Sequence, residues 1–348
     1  AGMLAVGTAA VAVGGMAVKS ATDMDQAMNQ FIASTGKGAE ETERYQKVLE
    51  DIYTNNYGED FNDIASAMES VIKQVGDLDD ASLQEVTESA YALRDTFGYE
   101  IPESTRAAKA MMDNFGISGE EAMNLIAAGA QNGLDYSGEL IDSINEYSVQ
   151  FAKVGMDADD MFKIFQQGAE SGAWNLDKIG DAVKEFSIRA IDGSDSTAEG
   201  FTKIGLDADT MAKKFAAGGE SAKKAFKETV KALSSIEDPL EQNIAGTDLF
   251  GTMWEDLGPS AVAALADIED GAYDTADAMN GIKEVKYDDL GSMFEGLKRS
   301  VEMLLLPLGE QLIPLLGELI EAALPIIEEV LPPLIDLFGG LLEQIIPM

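Results

Sequence analysis

The chain has 348 residues, with 63 acids against 24 bases, a formal charge of −39, and neither cysteine nor histidine. The missing residue types exclude disulfides, thiolate and imidazole zinc sites, cysteine nucleophiles and every triad built on histidine. They also leave the redox compartment unreadable from cysteine usage. Phosphate binding needs the opposite sign of charge, so no direct nucleic-acid binding is expected. The length leaves room for two or three domains. The sequence opens at Ala1 and stops at Met348 inside a patterned segment, and it is expected to be a piece of a longer polypeptide.

Residues 1–36 form an apolar, Gly/Ala-rich helix and the start of the core. The first 18 residues, AGMLAVGTAAVAVGGMAV, carry no charge. Their length is at the lower edge of a membrane span. Their small residues equally suit close helix–helix packing, and both membrane contact and a tightly packed helix stay open. No basic n-region precedes them, so they are not a complete signal peptide.

Residues 37–114 are expected to form N-terminal helical hairpins. Asp60 can cap a helix whose apolar face is Ile64, Ala67, Met68, Val71, Ile72 and Val75 and which Gly76 stops. A second helix carries Leu83, Val86, Ala90, Leu93 and Phe97 and ends at Gly98. Pro102 suits the first turn of a third, which runs through Ala108, Met111 and Met112 to Phe115.

Residues 115–245 hold a repeat. The stretch 151–171, FAKVGMDADDMFKIFQQGAES, recurs 50 residues later as FTKIGLDADTMAKKFAAGGES, with fourteen positions identical or nearly so. A fainter copy starts at Phe115. The spacing from first to last glycine is 13 in each copy: Gly116 to Gly129, Gly155 to Gly168, Gly205 to Gly218. Ser118 with Glu121 makes a capping box, and Asp157 and Asp207 can serve as N-caps. The glycines Gly129, Gly168 and Gly218 stand where a helix would stop in a left-handed residue. Longer helices follow, with stripes Leu140, Ile144, Tyr147, Phe151 and Leu176, Ile179, Val183, Phe186 at helical spacing. The unit is therefore a short helix, a glycine turn and a long helix. The step is 39 residues from Gly116 to Gly155 and 50 from Gly155 to Gly205; the difference fits an insertion in a polar loop, IDGSDSTAEG, at 191–200. Such hairpins could stack as a solenoid or bundle into a compact domain. The expected fold class is all-α in either case.

Seven lysines between Lys203 and Lys231 sit among four acids. They are expected to form a solvated helix face rather than an anion site. Residues 246–298 begin with GTDLFGTMWEDLG, expected to break the helical pattern as a turn-rich plug around Trp254, and continue into connecting helices. Residues 299–348 are proline-punctuated, Leu/Ile-dominated helix. On a helical wheel Glu310, Glu318, Glu321, Glu328, Glu329, Asp336 and Glu343 fall in one arc of roughly 100°. Pro307, Pro314, Pro325 and Pro332 share it. A proline frees a carbonyl one turn back, which is tolerable where water reaches it, so this arc should be wet. The opposite Leu/Ile face must be covered by lipid, a copy of itself or a partner, and helix self-association is the expected cover, because recurring acids oppose a simple span.

No enzyme chemistry emerges, and no catalytic, cofactor-binding or metal residue is nominated. Glu170-Ser171 resembles the Glu-Ser of lytic transglycosylases. The same pair recurs at Glu220-Ser221 inside the repeat, so it marks a structural turn. DGSDS at 192–196 lacks the alternating carboxylates and distal Glu of a calcium loop and fits a solvated loop. No phosphate loop or dinucleotide fingerprint occurs, and no cofactor is expected.

TDMDQAMNQFIASTG (22–36), YGEDFNDIASAMESV (57–71), the stretch 115–186 from FGISGEEAM to DAVKEF, LFGTMWEDLGPSA (249–261) and the terminal Leu/Ile helices together resemble the tape measure proteins of tailed bacteriophages. The resemblance implies a helical filament that sets tail length inside the tail tube of the virion, is expelled at infection and helps DNA cross the host envelope. It implies as partners copies of the chain itself, the tail tube, tail tip and tail assembly chaperone proteins, and contact with the host membrane at infection. It brings no catalytic residues. The alternatives are a membrane-active, pore-forming helical protein and the scaffold part of a cell-wall hydrolase.

Overall fold

Helix is the regular structure of every described segment, and the punctuation above explains where each begins and ends. The structure, a computed structural model, describes residues 2–266, 271–275, 277–287 and 289–345, with side chains at 12–323 and 325 within those spans. In chain order the helices are α1 (Gly2–Thr35), α2 (Thr42–Thr54), α3 (Phe61–Val75), α4 (Asp80–Phe97), α5 (Ile101–Phe115), α6 (Gly119–Gln131), α7 (Leu140–Lys153), α8 (Ala158–Glu170) and α9 (Leu176–Asp192). They continue as α10 (Asp195–Lys203), α11 (Ala208–Ala217), α12 (Gly219–Ser234), α13 (Pro239–Phe250), α14 (Met253–Leu257), α15 (Pro259–Ala264), α16 (Ala278–Tyr287) and α17 (Leu290–Ile345). The protein is all-α, as expected. It divides into two compact units, one made of residues 1–65 and 290–348, the other of 66–289.

In the unit 66–289, the repeated sequence makes a repeated turn. At the end of α7, the Gly155 amide donates to the Ala152 carbonyl (3.0 Å) and the Met156 amide to that of Phe151 (3.1 Å). At the end of α10, Gly205 donates to Thr202 (3.0 Å) and Leu206 to Phe201 (2.9 Å). This pair of bonds satisfies the orphan carbonyls of a helix end and requires a left-handed residue, supplied by Gly155 and Gly205 at φ 78° and 77°. The next helix then starts on an aspartate: Asp157 accepts from the Asp160 amide (2.8 Å) and Asp207 from that of Thr210 (2.8 Å). Ser118 and Glu121 form the anticipated capping box at α6.

Three expectations need correction here. Gly129 and Gly168 do not stop helices; they lie inside α6 and α8, and the left-handed residues that end these helices are Gly133 and Gly172. Both inner glycines are packing gaps. A Cβ on Gly129 would stand 2.7 Å from the Phe162 ring, and one on Gly168 would stand 2.5 Å from Ile179 Cδ1. IDGSDSTAEG is not a loop: α9 runs to Asp192, Gly193 closes it, and Ser194 caps α10 at once. The insertion is thus helix, because the Ser194 hydroxyl oxygen accepts from the Thr197 amide. Residues 246–250 likewise continue α13, so the expected break begins only at the Gly251–Thr252 turn, after which Trp254 is buried on the short α14 with its ring against the backbone of Gly246.

Helices α4 and α6, α5 and α7, and α7 and α9 pack next-but-one, in the manner of stacked hairpins. The far end of the unit closes around Phe186, whose ring centroid is 5.3, 5.1 and 5.0 Å from those of Phe215, Phe226 and Phe250. Such aromatic clusters bury large apolar area with favourable edge contacts.

In the other unit, α1 lies along α17 and α2 touches both. Ala17, Ala21, Met24, Met28 and Phe31 are buried along α1. The helices cross where a Cβ on Gly309 would stand 1.9 Å from the Ala17 carbonyl oxygen, so glycine is required for the backbones to meet. Within the uncharged opening stretch Ala17 is buried while Val13 and Met16 are exposed; the side chains of 1–11 lie outside the described residues.

Candidate functional site

The two Glu-Ser pairs lie at helix ends, one at the close of α8 and one in the first turn of α12. Glu170 ends α8, and Ser171 closes its last turn. Glu220 pairs with Lys224 at 3.1 Å. Among the described residues no group of three or more acids is placed to hold a metal ion. The lysine cluster is largely neutralised by nearby carboxylates: Lys203 reaches Asp248 (2.7 Å), Lys214 reaches Glu228 (2.6 Å) and Lys223 reaches Asp160 (2.7 Å).

The last pair is the exception to a solvated face. Asp160 is 2% exposed. Burial pushes its carboxyl above the usual range, against the pull of the Lys223 ammonium. Burial pulls Lys223 down, but Asp160 more than offsets this and the ammonium ends above its ordinary value.

The surface that calls for a function is on α17. Its N-terminal part is fixed in orientation by a polar cluster. The Arg299 guanidinium lies 4.4 Å from the centroid of the Tyr53 ring. It donates to the carbonyls of Tyr53 (3.1 Å), Tyr57 (2.7 Å) and Gly58 (2.8 Å), which close the C-terminal end of α2. One turn on, Glu302 accepts from Ser20 Oγ (2.7 Å) and the Tyr53 hydroxyl (2.9 Å). Burial, then this carboxylate, push the Tyr53 phenol above its ordinary range. Sequence reasoning missed this cluster. The available signal was that Arg299 is the last base of the chain, one turn before a glutamate, at the mouth of an apolar helix.

With Arg299, Glu302, Leu306 and Gly309 turned toward α1 and α2, the opposite side of α17 is open. Exposure is 76% at Leu290, 75% at Phe294, 63% at Leu297, 46% at Val301, 79% at Leu304 and 42% at Leu308. Leu315 and Leu319 are exposed further along. Glu310, Glu318, Glu321, Pro307, Pro314 and Pro325 are exposed as the wheel required; the side chains of Glu328, Glu329, Pro332, Asp336 and Glu343 lie outside the described residues. The apolar surface is therefore split: α1 of the same chain covers one side, a cover the sequence reasoning did not consider, and the other side is open among the described residues. By length and composition Leu290–Ala323 could cross a membrane, with mean hydropathy 1.5 in its most apolar window.

Repeated capped hairpins and one long, partly open apolar helix describe an all-helical protein. The family described as phage-related minor tail protein matches residues 50–251, more than half of the chain. The chain belongs to that family, and with it to the components of the phage virion tail. It is 27% identical over 202 residues to the probable tape measure protein of Streptomyces phage phiC31, covering 56% of this chain and 28% of that one. It is 26% identical over 214 residues to the uncharacterized protein YqbO of Bacillus subtilis strain 168, covering 61% of this chain and 13% of that one. No solved structure matches. The family match ends at residue 251, so α17 lies outside it.

Proposed function

We propose that the chain acts as a tape measure segment, setting tail length as a helical filament in the lumen of the tail tube and assisting DNA passage through the host envelope. The observation that carries this is the family match over 50–251, and the identity to the probable tape measure protein of phage phiC31 supports it. The work is mechanical rather than catalytic. The partners are copies of the chain, the tail tube, tail tip and tail assembly chaperone proteins, and the host membrane at infection. A continuous helix of 348 residues would span at most ~520 Å, and folded hairpins shorten that ruler. A charge of −39 suits a lumen that DNA must later traverse, since like charge keeps the two from sticking. In-frame deletion of α5 to α8 in a phage genome is expected to shorten the tail; tails of unchanged length would refute the reading.

A second reading, a membrane-active helical protein, is favoured by the length and hydropathy of Leu290–Ala323. Leakage from dye-loaded vesicles by the purified chain, in the absence of other tail proteins, tests it.

A further inference from the structure

Three successive hairpins, α4–α5, α6–α7 and α8–α9, turn at residues 98–100, 132–139 and 171–175. Each turn carries an aromatic residue: Tyr99, Tyr136 and Trp174. The turns form one row. Tyr99 stands beside Asp135 of the second turn, and the Tyr136 hydroxyl donates to the Ala173 carbonyl of the third (3.1 Å). Phe97 extends the row at its other end, its ring centroid 5.7 Å from that of Tyr99. Trp174 is 66% exposed and Tyr136 46%. Loops on one face of a repeat array are often its binding face, and tryptophan and tyrosine are the side chains that anchor interfaces. We propose that this row is the docking surface for a lysine- or arginine-bearing segment of another protein. The proposal goes beyond the tape measure reading and does not depend on it.

Charge selects the occupant. Glu100, Asp135 and Glu139 lie in the turns and Asp177 two residues past the third, with no lysine or arginine among residues 98–100, 132–139 and 171–177. Burial, then Glu139, Asp181 and Glu146, push the Asp177 carboxyl above its usual range. A cation arriving here relieves that crowding of like charge. It also gains from the face of an aromatic ring. The chain holds its own example of this contact: the Lys178 ammonium lies 6.0 Å from the centroid of the Trp174 ring while pairing with Asp256 at 2.6 Å. The same carboxylates repel nucleic acid and anionic lipid. A purely apolar partner would strip them of water and give them no counter-charge. A basic segment satisfies both the rings and the acids.

Trp174 and Trp254 are the only tryptophans of the chain, and Trp254 is 3% exposed, so the emission of the full chain reports the row. Acetylated hexalysine is expected to bind saturably at ~150 mM salt and to change that emission. Trp174→Ala should remove the emission change and weaken binding about fivefold by calorimetry. Tyr136→Ala should weaken it in the same direction, whereas Tyr136→Phe keeps the ring and should bind as the parent does. Glu139→Gln combined with Asp177→Asn should also weaken binding about fivefold. Glu40→Gln combined with Glu43→Gln removes the same charge from exposed positions of the other unit and should change binding less than about twofold. Far-UV circular dichroism checks that each variant keeps its helical signal. Overturning results are no saturable binding; saturation without a change in emission; full-strength binding by Trp174→Ala; or equal weakening by the two double variants, which means that net charge alone attracts the peptide. None of these bears on the tail-length reading, whose test is the length of the tail.

Discussion

The two strong copies of the repeat, 151–171 and 201–221, fold the same local turn but stand in different surroundings. Gly155 and Gly205 share φ, hydrogen bonds and the aspartate cap that follows. A Cβ on Gly155 would meet the Gly219 carbonyl oxygen at 1.9 Å and the Lys223 amide at 2.9 Å, whereas nothing lies within 4 Å of the same position on Gly205. Three residues past the cap, Asp160 is buried against Lys223, and its counterpart Thr210 is exposed. The difference shows that the repeated residues encode the turn and its caps. The neighbour that docks on the turn, here the start of α12, decides whether the turn also holds the unit together.

The largest expected effect breaks the first turn alone. Gly155→Ala should cost about 4 kcal/mol, combining the left-handed penalty with overlap on the backbone of α12. Gly205→Ala should cost roughly 1 kcal/mol, from conformation alone. Urea midpoints compare them, and equal losses would mean that the first turn is not docked. Next comes the buried pair. Lys223→Met leaves Asp160 without its counter-charge and should cost about 3 kcal/mol, whereas Lys214→Met, which breaks an exposed pair with Glu228, should cost less than about 1 kcal/mol. The caps should behave alike: Asp157→Ala is expected to lose about 1 kcal/mol, and Asp207→Ala should shift the thermal midpoint in the same direction. The smallest effect is on pH. The Thr210 hydroxyl, then its amide, hold the Asp207 carboxyl below the usual carboxylate range. Its contribution is thus present above the unfolded carboxylate value and is lost as pH falls through the folded one. A carboxyl NMR titration should place Asp207 below ordinary aspartates; a value at or above theirs would contradict the cap geometry.

Much of this was legible because it is local. Ser118, Asp157 and Asp207 cap their own helices, and Gly76, Gly98, Gly116, Gly155 and Gly205 end theirs, through bonds spanning a few residues. Gly129 and Gly168 were misread because glycine has two uses: it adopts positive φ, and it makes room. Only the fold brings Phe162 and Ile179 to those positions. The DGSDS stretch misled for a related reason, since Gly193 and Ser194 are stop and start signals placed back to back. The cluster of Arg299, Glu302, Tyr53 and Ser20 was out of reach, because each of its bonds joins residues more than 240 positions apart in sequence. The open stripe of α17 could be drawn on a wheel, but which part of it α1 already covers could not.

The discontinuity of the unit made of 1–65 and 290–348 has a consequence in time. On the ribosome, α1 and α2 emerge before the 224 residues of 66–289 are made. At ~5–20 residues per second that interval is on the order of 10–45 s. Throughout it, Ala17, Ala21, Met24 and Met28 have no α17 to pack against, and the carbonyls of Tyr53, Tyr57 and Gly58 have no guanidinium. The nascent chain thus carries an uncovered apolar helix while 66–289 is made, the interval in which a holding chaperone would have the most to shield.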